Sequence, residues 1–316
     1  MTESIFSLAC PKCGGLLNEE NATRKQCQKD GLTFRQVDGI WRMLLPEREE
    51  YFSRFIRDYE TVRRLEGRGS RDKAYYTNLP YRDLSGRMSA DWRIRAKSFD
   101  AFLKHVILPM EKQGKRPLQI LDLGAGNGWL ANRLALRGHQ AAAVDLTVND
   151  FDGLGCHRFY DAKFLSVQAE FDRLPFLENS ADVILFNASL HYSLNIEATL
   201  TEALRVLDSS GALVILDSPV YRHASSGAQM VAEREAQFTK QYGFASDNLP
   251  SENYLTYARL DKLGNKLCLD WKIITPFYGL HWSARPLIAG LLRRREPAKF
   301  HVIVGNRQPP NRPAAL

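Results

Sequence analysis

The run Ile120-Leu121-Asp122-Leu123-Gly124-Ala125-Gly126-Asn127-Gly128-Trp129 constrains this chain more than any other feature. Residues 117–123 are a short apolar run of strand length, and Trp129, Leu130, Leu134 and Leu136 then recur at roughly helical spacing. The unit reads as a buried strand, a tight glycine turn and a helix. Glycines in such a turn permit positive φ and let backbone N–H groups approach a ligand with no Cβ in the way. The helix that follows aims its unpaired N-terminal N–H groups and its dipole at the same place. A dinucleotide fingerprint G-x-G-x-x-G needs glycine at position 129, where this chain has Trp129, so the pattern present is G-x-G-x-G. Taken alone, the turn could be a purely structural strand-to-helix connection.

The next elements argue against that plain reading. Residues 140–146 form a second strand ending in Asp145, twenty-one positions after Gly124, where a parallel strand places an acid beside a ribose. A third strand at 164–169 leads into Glu170-Phe171-Asp172-Arg173-Leu174-Pro175-Phe176, and a fourth at 182–187 leads into Ala188-Ser189-Leu190-His191-Tyr192. A helix at 197–207 and the turn Ser209-Ser210-Gly211 precede a fifth strand at 212–217. Strands alternating with crossovers predict an α/β fold with a doubly wound, mainly parallel sheet covered on both faces.

These residues resemble the class I S-adenosylmethionine-dependent methyltransferases over about residues 95–305, through LDLGAGNGWL, the acid of AVDL, EFDRLPF, ADVILFNASLHYS and EALRVLDSSGALVILD. The resemblance implies a seven-stranded Rossmann-like sheet closed by an antiparallel pair, here 267–275 and 299–305. It also implies that Gly124, Ala125, Gly126 and Gly128 hug the methionine and ribose of the cofactor, with Asp122 orienting their loop. Asp145, followed by Leu146, matches the ribose acid. Glu170 falls where a carboxylate, more often aspartate, accepts the adenine amino group, with the Phe171 N–H beside the ring. Asn187 lies where the family lines the methionine end.

Transfer of a methyl from a sulfonium asks mainly for alignment of the acceptor, at roughly 3 Å and in line. A base is required only if the acceptor must lose a proton. His191 and Tyr192 follow the fourth strand at the carboxyl edge where open α/β sheets bind ligands, and are the candidate acceptor contacts. A histidine that closes its loop by hydrogen bonds is the competing reading of His191, and a pocket wall that of Tyr192. Tyr221 and His223 open an insertion at 222–266 and could cap the acceptor pocket or lie on the surface; such insertions are where substrate choice is built.

The chain of 316 residues is 44% hydrophobic, enough for a substantial core and about two units. No apolar run approaches the roughly 18 residues of a membrane span, and the start lacks a signal-peptide pattern, so the expectation is a cytoplasmic protein. Among five cysteines, Cys156 and Cys268 are isolated and read as small packing residues. Cys10-Pro11-Lys12-Cys13 is different, because C-x-x-C on a tight turn is half of a tetrahedral zinc site. Cys27 follows, but the fourth position carries Asp30. Residues 1–46 resemble the small zinc-ribbon domain that accompanies some RNA methyltransferases. Either Asp30 completes a site of three thiolates and one carboxylate with Cys10, Cys13 and Cys27, or the ribbon is degenerate and held by apolar contacts.

From Arg42 to Arg116 the chain has 18 Lys or Arg against 11 Asp or Glu, an excess equal to the +7 of the whole protein. Tyr51, Phe52, Phe55, Tyr59, Tyr75, Tyr76, Tyr81 and Trp92 interleave with this charge, and Arg293-Arg294-Arg295 forms a second basic tract. Basic residues among aromatics can track phosphates and stack bases. The preferred reading is helices that cover the cofactor pocket, bury their aromatics and solvate their arginines. The organisation expected is a ribbon-like module at 1–46, a helical lid at 47–116, a catalytic domain at 117–307 and a flexible tail at 308–316. The leading function is methylation of a small or medium-sized acceptor. RNA methylation through the ribbon and basic segment is the alternative, and a non-catalytic cofactor-binding protein that uses the ribbon to bind a protein partner is a third.

Overall fold

A computed structural model describes residues 6–114, 117–243 and 249–308. The first four strands, β1 (Asn18–Asn21), β2 (Arg24–Gln26), β3 (Thr33–Val37) and β4 (Ile40–Arg42), make an antiparallel meander. Helices α1 (Pro46–Leu65), α2 (Lys73–Asn78), α3 (Ser89–Phe102) and α4 (Leu108–Lys112) follow, the last two joined by a π-helical turn. The alternating part then runs β5 (Gln119–Leu123), α5 (Trp129–Leu136), β6 (Gln140–Asp145), β7 (Leu165–Gln168), β8 (Ala181–Asn187), α6 (Ile196–Val206) and β9 (Leu207–Leu216). The chain ends with β10 (Val220–Tyr221), α7 (Ala224–Tyr242), β11 (Leu255–Thr256), α8 (Tyr257–Leu267), β12 (Leu269–Ile274), α9 (Leu280–Leu291) and β13 (Val302–Arg307).

The sheet order is β1-β2-β3-β4-β7-β6-β5-β8-β9-β13-β12. Strands β7, β6, β5, β8 and β9 are parallel, and β13 runs antiparallel between β9 and β12, giving the seven expected strands and their closing pair. What the sequence does not announce is that the ribbon-like strands prolong this sheet. Strand β4 pairs in parallel with β7, Trp41 opposite Val167, so the described sheet has eleven strands.

Alternation along β5 builds two cores: Leu121 and Leu123 enter one apolar cluster and Ile120 the other. The first cluster joins Phe6, Leu8, Trp41 and Met43 of the N-terminal segment to Val167 and Phe176 of the catalytic sheet. The second seats Tyr76 of α2 and Trp92, Phe99 and Phe102 of α3 on α5. Trp129 lies edge-on to Trp92 at 5.8 Å and Phe99 at 5.5 Å, which explains its presence where a fingerprint would have glycine. Each such aromatic pair contributes about 1 kcal/mol beyond its buried area. Helix α2 is also fastened through a polar contact, for the Tyr76 hydroxyl donates to Phe151 O at 2.7 Å.

Cys156 is buried as expected, but Cys268 is exposed: it ends α8 with φ +53°, so the packing reading fails there. Residues 309–316 of the tail and 244–248 of the insertion lie outside the described residues.

Candidate functional site

The sheet order reverses at β5, and the loops after β5, β6, β7 and β8 converge at that switch point. Gly124, Gly126 and Gly128 have φ of +76°, +54° and +77°, conformations that favour glycine. Their environments differ. A Cβ on Gly124 would fall 2.3 Å from Cβ of Ser189, whereas one on Gly126 would meet nothing closer than Asp152 O at 3.5 Å. The first glycine admits the β8 loop; the second leaves backbone open to a ligand.

Asp145 secures the turn. Its Oδ2 accepts from Gly126 N–H at 2.8 Å, and its Oδ1 accepts from the Thr147 N–H at 2.8 Å and hydroxyl at 2.7 Å. Burial still raises its pKa, those three bonds opposing the shift. Asp122 is buried more severely, and neither of its oxygens has a hydrogen-bond partner among the described residues. Desolvation, reinforced by Asp145, pushes it up to about 8, so the neutral acid predominates at pH 7.

Two connected spaces lie over this edge. The first, a cleft, is lined by Phe52, Phe55 and Tyr59 of α1 on one side and by Leu146, Glu170 and Phe171 on the other. Glu170 is bound by a forked pair with Arg48, Nε to Oε1 2.9 Å and Nη2 to Oε2 2.5 Å. The second space shares Tyr59, Gly124, Asp145, Ala188 and Tyr192 with the first and extends past Asn187, His191 and Tyr221. The structure therefore brings together the residues that the sequence assigns to cofactor and acceptor, apart from Asp122 and Gly128, which back the loop, and His223, which lines neither space.

Over residues 121–215 the chain matches the family of methyltransferase domains. Residues 121–215 are a class I methyltransferase domain. The tRNA 5-carboxymethoxyuridine methyltransferase of Escherichia coli K12 is 30% identical over 113 residues, 34% of this chain and 42% of that protein. The ubiquinone/menaquinone biosynthesis C-methyltransferase UbiE of Rhizobium meliloti is 30% identical over 118 residues, 35% of this chain and 46% of that protein. The match thus spans less than half the length of these relatives. Among solved structures, magnesium protoporphyrin IX methyltransferase from Synechocystis PCC 6803, solved with bound SAH, has a TM-score of 0.46 at 13% identity, covering 82% of this chain and 97% of that one.

The methyltransferase domain suits S-adenosylmethionine on its own chemistry. Asn187 Oδ1 and Asp217 Oδ2 are buried acceptors with no hydrogen-bond partner among the described residues, and both residues line the second space, where they could accept from an ammonium group. Asp217 was not singled out from the sequence beyond ending the fifth strand; its Oδ1 accepts from Ser98 of α3 at 2.5 Å. Arg63 was missed as well. It reaches from α1 to Asp152 at 2.5 Å, and only a view of the packed helix could distinguish it from its solvated neighbours.

His191 and Tyr192 form a tilted ring pair 4.4 Å apart on the β8 loop. His191 Nδ1 is 3.4 Å from Ser218 Oγ, and its carbonyl accepts from Asn253 N–H at 3.0 Å. Burial, with Arg234 and Arg95 adding repulsion, depresses its pKa to about 3, leaving a neutral, weakly basic imidazole. Tyr221 is buried with its hydroxyl 3.4 Å from Arg295 Nη1, and burial raises its pKa. His223, by contrast, is exposed.

Ligand atoms of Cys10, Cys13, Cys27 and Asp30 lie within 4.8 Å of one another. Cys13 and Cys27 Sγ are 3.6 Å apart, and Asp30 Oδ2 is 3.4 Å from Cys10 Sγ and 3.5 Å from Cys27 Sγ. A tetrahedron with zinc–sulfur bonds of about 2.3 Å has sulfur–sulfur edges of about 3.8 Å, so the donor set fits zinc. Without an ion, burial pushes the Cys10 thiol up to about 12.

Proposed function

We propose that this protein is an S-adenosylmethionine-dependent methyltransferase that acts in the cytoplasm on a small or medium-sized acceptor. The observation that carries the reading is the continuity between a cleft walled by aromatics and acids and a second cavity beyond Tyr192. Asp145 holds the ribose, Glu170 and the Phe171 N–H the adenine, and the glycine loop with Asn187 the methionine end. When bound, the cofactor supplies an activated methyl on a sulfonium. The protein aligns the acceptor and excludes water. His191 and Tyr192 position the acceptor beside Tyr221; His191, neutral and weakly basic, is a poor proton acceptor. The lid keeps water from the cleft through Phe52, Phe55 and Tyr59.

Zinc at Cys10, Cys13, Cys27 and Asp30 would hold together the N-terminal loops that lie beside Asp172 and Arg173. RNA remains the second acceptor class, favoured by the tRNA methyltransferase among the relatives. Against it, Arg48, Arg63 and Arg68 of the basic segment are paired with Glu170, Asp152 and Glu66 and are not free for phosphates.

Calorimetric titration with S-adenosylhomocysteine tests the cofactor. Wild type should bind and Asp145→Ala should lose about tenfold or more in affinity, since charge-assisted hydrogen bonds contribute about 1.5–3 kcal/mol. Unchanged affinity would sink the assignment. RNA binding that weakens steeply with salt would favour the second class.

A further inference from the structure

We propose that α9 docks on an anionic lipid bilayer, its outward leucines entering the interface while Arg293 and Arg294 meet the headgroups. A helix on a protein surface ordinarily turns its apolar stripe inward. Helix α9 does the reverse: none of its twelve residues is buried, and Leu280, Leu287 and Leu291 are 82%, 70% and 77% exposed. Their spacing of i, i+7 and i+11 puts them on one face. Phe277, Ile288 and Leu292 add exposed apolar surface beside them. Six of the fifteen large apolar side chains exposed among the described residues thus fall within residues 277–292, whereas the other nine are spread from Leu16 to Ile273. Single exposed leucines are ordinary, but a clustered set marks a docking surface.

The inward side of the same helix is committed to the protein. Trp282 packs on Phe300 with ring centroids 5.5 Å apart, and Arg285 stacks on Trp282 and donates to Ala298 O at 3.3 Å. These contacts hold α9 in place, and the outward leucines are left for something outside the chain. Arg285 also lines the second cavity, so the docking face and a wall of that cavity are two sides of one helix.

Charge selects the partner. Between Asp270 and Glu296 the sequence has no acid and five bases, Lys272, Arg285, Arg293, Arg294 and Arg295. Arg293 and Arg294, just past the last turn of α9, are exposed and enter no ion pair among the described residues. Glu233 of α7 and Glu296 are already paired, with Arg295 and Arg222. A symmetric dimer through this face would set the acid-free segment against its own copy. The negative surface of an anionic bilayer answers it instead, each arginine near the headgroups strengthening binding about fivefold. Twelve residues are too few to span a bilayer, so α9 lies in the plane of the interface. Docking of this kind needs no cofactor and is independent of the methyltransferase reading.

Co-sedimentation of the full chain with lipid vesicles tests the proposal. Phosphatidylcholine vesicles containing phosphatidylglycerol should carry the protein down, and pure phosphatidylcholine vesicles should do so far less. Leu287→Gln and Leu291→Gln should each weaken binding about tenfold through the lost burial of one leucine. Arg293→Gln combined with Arg294→Gln should weaken it about twentyfold. All four side chains are exposed, so the unfolding midpoint should stay at the wild-type value. Arg57→Gln, at an exposed arginine of α1, should bind as wild type does. If a leucine variant lowers the midpoint, the arginine pair decides alone. Absence of binding to either vesicle, binding that survives the leucine and arginine changes, or an equal loss on Arg57→Gln overturns the proposal. So does a dimer, seen by analytical ultracentrifugation, that Leu287→Gln abolishes while vesicles leave the protein in solution, because that assigns the face to a second copy of the chain.

Discussion

Arg48 grips Glu170 with two guanidinium nitrogens, Nε 2.9 Å from each oxygen and Nη2 2.5 Å from Oε2, across 122 residues of sequence. The pair joins the helix that follows the ribbon to the loop that follows β7. Met43 N–H donates to Gln168 O at 2.9 Å just before α1 begins, so the N-terminal strands, α1 and the loop after β7 form one hydrogen-bonded unit. Glu170 retains acceptor capacity on Oε1, which takes one bond from Arg48 and lies 3.8 Å from Arg173.

Breaking that pair on one side should cost more than removing it whole. Glu170 is nearly buried, so Arg48→Gln leaves a desolvated carboxylate and should destabilise the fold by about 3 kcal/mol. The double change with Glu170→Gln should cost less than the sum of the two single changes. Urea unfolding of the four proteins measures this, and strict additivity would contradict the coupling.

Substitution of the two turn glycines should separate packing from backbone conformation. Gly124→Ala combines φ +76° with a Cβ 2.3 Å from Ser189, and should cost about 3 kcal/mol or more. Gly126→Ala meets nothing within 3.4 Å, so only its positive φ counts, at about 1–2 kcal/mol. Equal unfolding midpoints for the two variants would refute the distinction.

Acid and alkali should act on different buried groups. His191 titrates near 3 in the fold against 6.5 in the unfolded chain, so as pH falls below 6.5 only the unfolded state takes up its proton and the native state loses about 1.4 kcal/mol per pH unit. His191→Asn should flatten the stability profile by that amount between about pH 6 and 4. Asp122 has the opposite sign: its folded pKa of about 8 lies above 3.8, so its penalty grows as pH rises from 4 to 8. Asp122→Asn should therefore gain stability relative to wild type across that window, by about 1.4 kcal/mol per unit. Parallel profiles for a variant and wild type would mean that the group is not shifted.

Metal removal should be felt at the cofactor edge. The purified protein should contain one zinc per chain, and Cys13→Ser should abolish it. Chelation should lower the unfolding midpoint and weaken S-adenosylhomocysteine binding, because the ligand loops lie beside β7 through the Leu8–Phe176 bridge and the β4–β7 pairing. A metal-free protein of unchanged stability would mark the four side chains as a remnant.

The sequence by itself determined the parallel core, its glycine turn and the acids at its strand ends. These follow from local rules: β5 and β8 are buried on both faces and therefore read as apolar runs, and a turn that needs positive φ writes glycine at Gly124, Gly126 and Gly128. Tertiary structure alone decided the fate of the charges and of the ribbon. An arginine reads the same in sequence whether it faces water, as Arg54 does, or enters the site, as Arg63 does, because the difference lies in which carboxylate the fold brings to it. Strand β4 carries no mark of its partner either. Backbone hydrogen bonds are indifferent to side-chain identity, so its pairing with β7, and the joining of ribbon to catalytic sheet, appear only once the chain is folded.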